Sequence, residues 1–170
     1  MNNITAAVIT ISDRCSAGQA EDVSGPPAKA ILEEAGYPVG VTYCVPDDVR
    51  AIAEAVQNAA YDDVDLVFTT GGTGISPQDY TARAMDPLFR FDIPGIPDAI
   101  RYLGIRKGTP EAMLSRGRAG IMVNGRGRTL VVNAPGSVGG VRDALEVLIP
   151  ILPHAVSQML GEDHEVRHDH

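Results

Sequence analysis

The chain opens its pattern with an apolar, β-branched run from Ile4 to Ile11, which reads as a buried strand. Tyr37 to Val45 reads as a second strand, and Asp65 to Thr69 as a third, buried on both faces by its composition. Between the first two lies AKAILEEAG, a helical stretch that Ser24 can cap, with Pro26 and Pro27 tolerated in its first turn and a stop at Gly36. Between the second and third, Pro46 and the acidic pair Asp47 and Asp48 open AIAEAVQNAA, whose apolar residues recur at helical spacing. Strands that alternate with helices imply βαβ units and a parallel sheet. Further on, Asp79 to Phe89 and Pro94 to Leu103 read as helices. Gly120 to Val123 and Thr129 to Asn133 flank an Asn-Gly turn, which predicts an antiparallel hairpin. A last helix follows Pro135-Gly136-Ser137 and runs to about Leu160. The expected architecture is a three-layer α/β sandwich with a mainly parallel sheet and a C-terminal antiparallel hairpin. One domain is expected over residues 1–162, with a polar, frayed tail over 163–170.

Composition narrows the function more than the fold. The 44% hydrophobic content suits a single full core, and no apolar run approaches a membrane span. No charged-then-apolar leader opens the chain, so a soluble cytoplasmic protein is expected, with no membrane partner. Cys15 and Cys44 lack metal-ligand spacing; a disulfide stays open, but free thiols are the expectation for such a chain. The formal net charge of −8 repels nucleic acid, so no nucleic-acid partner is expected. A phosphate-bearing small molecule would have to be held by local donors: backbone N–H groups, a few placed arginines or a metal ion.

Candidate chemistry gathers after the third strand. Thr69-Thr70 leads into Gly71-Gly72-Thr73-Gly74 at the carboxyl end of a predicted central strand, where open α/β sheets bind ligands. Glycines there let the backbone approach an anion, and successive N–H groups can form an anion nest. A tight connection without a ligand is the alternative. The loop is not a Walker A motif, because no Gly-Lys-Ser/Thr follows, and not G-x-G-x-x-G, because Pro77 stands at the last position. Asp13 follows the first strand, Asp47 the second, and Asp79 lies just past the glycines. Singly, such aspartates are most often caps or turn residues; together at one sheet edge they suit a hard cation such as Mg2+ bridging to phosphate. Arg14 beside Asp13 can add a phosphate contact, with a lone surface arginine as the alternative.

Two other patterns lead nowhere. Gly136-Ser137-Val138-Gly139 resembles a nucleophile elbow, but Pro135 replaces the first glycine and His154 is the only histidine before the tail. The serine of Pro135-Gly136-Ser137 is better read as a helix cap whose neighbouring amides can meet an anion. His164-Glu165-Val166-Arg167-His168 matches H-E-x-x-H, yet only two residues follow and the segment carries almost no apolar face to bury.

The motifs ITISDR (Ile9 to Arg14), TTGGTG (Thr69 to Gly74) followed by Asp79, Pro94-Gly95, Leu114-Ser115-Arg116 and NAPGS (Asn133 to Ser137) together resemble the Mog/MoaB family of molybdopterin adenylyltransferases. The resemblance spans nearly the whole chain. It implies transfer of AMP from Mg-ATP to the terminal phosphate of molybdopterin, with release of pyrophosphate, in molybdenum cofactor biosynthesis. It implies Mg2+ as cofactor, ATP as co-substrate, a homotrimer, and a molybdenum-insertion enzyme downstream. Carried over residue by residue, Asp47 and Asp79 are the catalytic and metal-binding pair. Thr70, Gly71, Gly72, Thr73 and Gly74 would line the pterin and phosphate pocket, with Ser12, Asp13 and Arg14 at its edge. Ser115 and the turn Pro135, Gly136, Ser137 would complete it. Two departures stand out: Val138-Gly139-Gly140 replaces a common Pro-x-Ala, and Asp92 stands where a glutamate often precedes Pro-Gly. They keep open a non-catalytic molybdopterin-binding or scaffold paralogue of the same fold.

Overall fold

The computed structural model describes residues 4–125 and 127–161. The His164–His168 pentad, the expected tail and Arg126 of the hairpin turn lie outside them. Strands β1 (Ala6–Ile11), β2 (Val39–Val45) and β3 (Leu66–Thr70) alternate with helices α1 (Asp13–Ser16), α2 (Gly25–Glu34) and α3 (Val49–Tyr61). Next come α4 (Thr81–Ala84), β4 (Phe89–Asp92), α5 (Gly95–Arg106), a 3-10 turn over Pro110–Leu114, β5 (Ala119–Asn124) and β6 (Gly127–Ala134). The chain then forms α6 (Val138–Leu148), a 3-10 turn over Ile149–Ile151 and α7 (Leu152–Leu160).

The six strands form one sheet in the order β2-β1-β3-β6-β5-β4. β1 pairs in parallel with β2 and β3, and β3 with β6, whereas β5 runs antiparallel to both β6 and β4. Strand alternation sorts the core into two layers. On one face Val8, Leu66, Phe68, Leu130 and Val132 pack with Leu32, Leu145, Leu148 and Leu152 of α2, α6 and α7. On the other, Ile9, Val67 and Val131 pack with Ile52, Val56, Ala59 and Met85 of the α3–α4 side. Helices on both faces of a mostly parallel sheet give the expected three layers.

Four expectations change. The helix expected over Asp79 to Phe89 shrinks to the single turn of α4, because the chain after Pro87 becomes edge strand β4. Arg118 holds that strand: its guanidinium bonds Asp86 (2.6 Å) and Asp92 (2.9 Å) and stacks over Phe89. The last helix breaks near Pro150 and Pro153 into α6, a 3-10 turn and α7, since each proline removes a backbone donor. Ser24 sits at the N-cap of α2 without making a capping bond; Asp22 takes that role, accepting from Ser24 N–H (3.1 Å) and Gly25 N–H (2.8 Å). Finally, Cys15 and Cys44 form a disulfide, and no free cysteine remains among the described residues. Parallel pairing sets Thr10 beside Cys44, so the turn after β1 delivers Cys15 to the end of β2.

Candidate functional site

The glycine loop leaves β3 under steric constraint. Gly71 (φ +106°) and Gly72 (φ +61°) take left-handed backbone, where a side chain is strained. A Cβ on Gly71 would strike the Ile11 carbonyl, and one on Gly72 would lie 2.7 Å from Asp47 Oδ1. Neighbours then fix the loop by its carbonyls. Thr81 hydroxyl donates to Gly71 O (2.9 Å), Thr81 N–H to Gly72 O (3.2 Å) and Arg116 N–H to Thr73 O (2.7 Å). The N–H groups of Gly72, Thr73 and Gly74 make no hydrogen bond among the described residues. Carbonyls tied down and amides free is the arrangement of an anion nest. The turn at Gly136 abuts this loop, and a Cβ there would stand 3.2 Å from Gly71 Cα. Ser137 caps α6 by accepting from Gly140 N–H (3.0 Å), so the start of α6 lies against the same loop.

Two clefts flank the loop and share Thr73 and Gly74 as a common wall. The first, about 380 Å³, is lined by Ser12, Asp22, Ser24, Gly71, Gly72, Asp79 and Gly136, among others. Asp22 builds its outer side, accepting from the Thr10 hydroxyl (2.7 Å) as well as from the start of α2. Ser12 caps α1, accepting from Cys15 N–H. The second cleft, about 390 Å³, is lined by Ile75, Ile100, Arg101, Leu114, Ser115, Pro135, Ser137 and Gly140, among others. A polar hollow beside a more apolar one suits a ligand with an anionic end and a flat ring.

The three aspartates emerge at one edge, since the strands before them are parallel. Asp13 accepts from Asp47 N–H (2.9 Å), tying the turn after β1 to the turn after β2. Asp48 caps α3 through Arg50 and Ala51 N–H, which leaves the Asp47 side chain for other work. Burial pushes the Asp47 carboxyl above the usual aspartate range, the charges of Asp13 and Asp79 push the same way, and a backbone hydrogen bond at Asp13 partly offsets them. Its Oδ1 is buried and has no hydrogen-bond partner. Asp79 folds back to accept from Ser76 N–H (2.7 Å), and a Cβ on Gly74 would lie 2.7 Å from its Oδ2. Among the described residues no three acidic, histidine or cysteine side chains form a ready metal cage. A cation here would need oxygens from a ligand as well.

Of the residues singled out from sequence, Ser12, Gly71, Gly72, Asp79 and Gly136 line the first cleft, Ser115, Pro135 and Ser137 the second, and Thr73 and Gly74 both. Asp13, Arg14, Asp47 and Thr70 line neither cleft. Asp47 lies against Gly72, and Thr70 is buried, its hydroxyl donating to Pro135 O (2.9 Å). Arg14 is exposed. Exposed His154 on α7 lines neither cleft. Sequence reasoning passed over Asp22 and Arg101. Asp22 carried a signal, an Asp two residues before a Ser-Gly-Pro helix start. Arg101 carried none, because its bond to Ser115 O (2.9 Å) depends on the tertiary fold, and its pair with Asp98 (2.6 Å), three residues earlier on α5, marks only a helix face. The departures also find places. Asp92 is held by Arg118, away from both clefts, and a Cβ on Gly140 would lie 2.6 Å from Pro135 Cβ.

Fold and site together define an α/β protein whose glycine loop and acidic turns gather at the carboxyl edge of its parallel strands. Residues 7–154 match the family model described as a probable molybdopterin binding domain, and the chain belongs to that family. It is 38% identical to the molybdenum cofactor biosynthesis bifunctional protein of Synechococcus elongatus, over 95% of this chain and 49% of that one. The chain thus spans about half the length of that relative. It is 35% identical to a molybdopterin adenylyltransferase of Helicobacter pylori, over 95% of this chain and 90% of that one. A molybdopterin biosynthesis protein from Mycobacterium abscessus superimposes with a TM-score of 0.84 at 40% identity, covering 92% of this chain and 96% of the other. No helix among the described residues is long and apolar enough to cross a membrane.

Proposed function

We propose that the chain acts in molybdenum cofactor biosynthesis as a molybdopterin adenylyltransferase. One observation carries the reading: the amides of Gly72 to Gly74 make no hydrogen bond among the described residues, Thr73 and Gly74 form the wall between two clefts, and the unpartnered Asp47 Oδ1 lies against Gly72 just behind it. Donors for a phosphate and an acceptor awaiting a cation belong together where two anionic substrates must meet. A terminal phosphate oxygen of molybdopterin attacks the α-phosphorus of ATP. The new P–O bond forms as the bond to the bridging oxygen breaks, and pyrophosphate leaves with the electron pair. The attacking phosphate is already ionised near neutral pH, so no strong general base is needed; neither cleft is lined by a histidine. Asp47 and Asp79 would hold Mg2+ together with phosphate oxygens. Mg2+ would supply neutralisation of the phosphate charge. The amides of the glycine loop and of the Gly136-Ser137 turn orient phosphate, while Ser12 and Ser115 offer hydroxyls from opposite sides. In this reading the protein works in the cytoplasm as a homotrimer and hands its product to a molybdenum-insertion enzyme.

The test is direct. Purified protein with molybdopterin and Mg-ATP should form adenylylated molybdopterin and pyrophosphate, and chelating the metal should stop it. Asp79→Asn should lower turnover by about 100-fold or more, because charge neutralisation is the main catalytic term for such transfers. Folded protein that binds molybdopterin tightly yet gives no product at saturating Mg-ATP would overturn the enzyme in favour of a pterin-binding paralogue. Sedimentation equilibrium checks the trimer.

A further inference from the structure

Arg116 has the contacts of an organising side chain. Its Nε donates to Gly74 O (2.6 Å) and its Nη2 to Asp79 O (2.6 Å), while its own N–H donates to Thr73 O (2.7 Å). Gly74 and Asp79 are the two ends of the excursion 74–79. One planar guanidinium therefore clasps both ends of the segment that carries an aspartate of the proposed site. Inside the clasp the segment is self-bonded: Asp79 accepts from Ser76 N–H, and Asp79 N–H donates to Ser76 O (3.0 Å). Five other cationic side chains form ion pairs, namely Lys29, Arg50, Arg101, Lys107 and Arg118. Arg116 forms none with an acidic side chain among the described residues and spends its guanidinium on carbonyl oxygens. Its preceding residue, Ser115, lines the second cleft, and Arg101 holds that residue's carbonyl.

We infer that Arg116 is a positioning residue, which sets the place of Asp79 and of the wall between the clefts by clasping Gly74 and Asp79 through their carbonyls. The inference rests on the adenylyl-transfer reading only for its consequence on rate; the clasp itself is a property of the free protein. A lysine cannot replace it. An ammonium is a point donor, whereas the guanidinium fork reaches two carbonyls at a fixed separation. Arg116 does not touch the reacting atoms, so its loss should misplace Asp79 and leave the rest of both clefts standing.

The experiment uses the full chain as Arg116→Ala and Arg116→Lys, with amide hydrogen exchange followed across residues 72–81 and AMP transfer measured in parallel. Arg116→Ala should speed exchange at Ser76 and Asp79 while α2, α3 and α6 keep their protection. Its kcat should fall by about 100-fold, the scale of a small displacement of a catalytic group, with KM for molybdopterin changed by less than about 3-fold. Added methylguanidine should restore part of the rate to Arg116→Ala, and Arg116→Lys should stay impaired. Unchanged exchange at 74–79 in a folded variant, or an Arg116→Lys protein as active as the unsubstituted one, overturns the inference. If Arg116→Ala does not fold, the same readouts on Arg116→Lys decide. Faster exchange in the variants, with no AMP transfer by the unsubstituted protein, upholds the clasp and removes the transferase reading instead.

Discussion

Burial and two neighbouring carboxylates act on one proton at Asp47. The folded chain holds that proton more tightly than the unfolded chain does, because the raised value reflects a penalty on the charged form. The contribution of Asp47 to folding is therefore fully present below the ordinary aspartate value and is lost as pH rises through the raised one. At neutral pH the ionised side chain opposes folding of the free protein. Asp47→Asn should then melt at a higher temperature than the unsubstituted protein at pH 7, with the gain shrinking as pH falls towards about 4. The same substitution should abolish AMP transfer, and thermal melts at several pH values beside the assay check both halves. Gly72→Ala should behave differently. It forces a side chain into left-handed backbone against Thr81 and Asp47, at about 1–3 kcal/mol, and should lose stability and activity together in denaturant titrations. Asp47 was legible in sequence as an acid after a strand. Its unpartnered oxygen was not, since that depends on how near Gly72 comes.

Elements with strong periodicity were readable, and those set by tertiary contacts were not. AIAEAVQNAA became α3 because Ile52, Val56 and Ala59 share one face and Asp48 caps the start. The hairpin followed from Asn-Gly, and β5 and β6 pair from Ala119–Val132 to Asn124–Gly127. Strand β4 escaped because its side chains are mostly exposed and its place depends on Arg118, many residues later in the chain. The division of the last helix was written in Pro150 and Pro153, whose meaning the continuous apolar pattern masked. Helix α6 buries Val141, Ala144, Leu145 and Leu148 against the sheet. Leu145→Ala should cost about 2–5 kcal/mol in chemical denaturation, from lost burial and the cavity left behind.

Over the whole molecule, parallel order made the site legible before any side chain was placed. Three strands running the same way had to bring Asp13, Asp47 and the glycine loop to one edge, and the sheet order β2-β1-β3 does so. What sequence could not show is the pairing of Cys15 with Cys44, which follows from β2 lying at the outer side of β1. The bond spans 29 residues, so reducing it should lower stability by about 3–4 kcal/mol through the freedom returned to the unfolded chain. Melts with and without reductant, and of Cys44→Ser, check this; identical midpoints would refute it.

That bond has a mechanical side too. The stretch from Ser12 to Ser24 forms one bank of the polar cleft, and it is anchored twice. Near its start the disulfide fastens it to β2, and near its finish Asp22 fastens it to Thr10 and to the first turn of α2. Between the anchors, Ala17 to Ala20 bond back only to the carbonyls of Asp13, Arg14 and Cys15 within the same stretch. A strap buckled at both ends bows more readily than it swings, which leaves this bank little freedom to fold over the cleft. In the adenylyl-transfer reading, this side of the polar cleft then offers its guest a gauge more than a closing jaw.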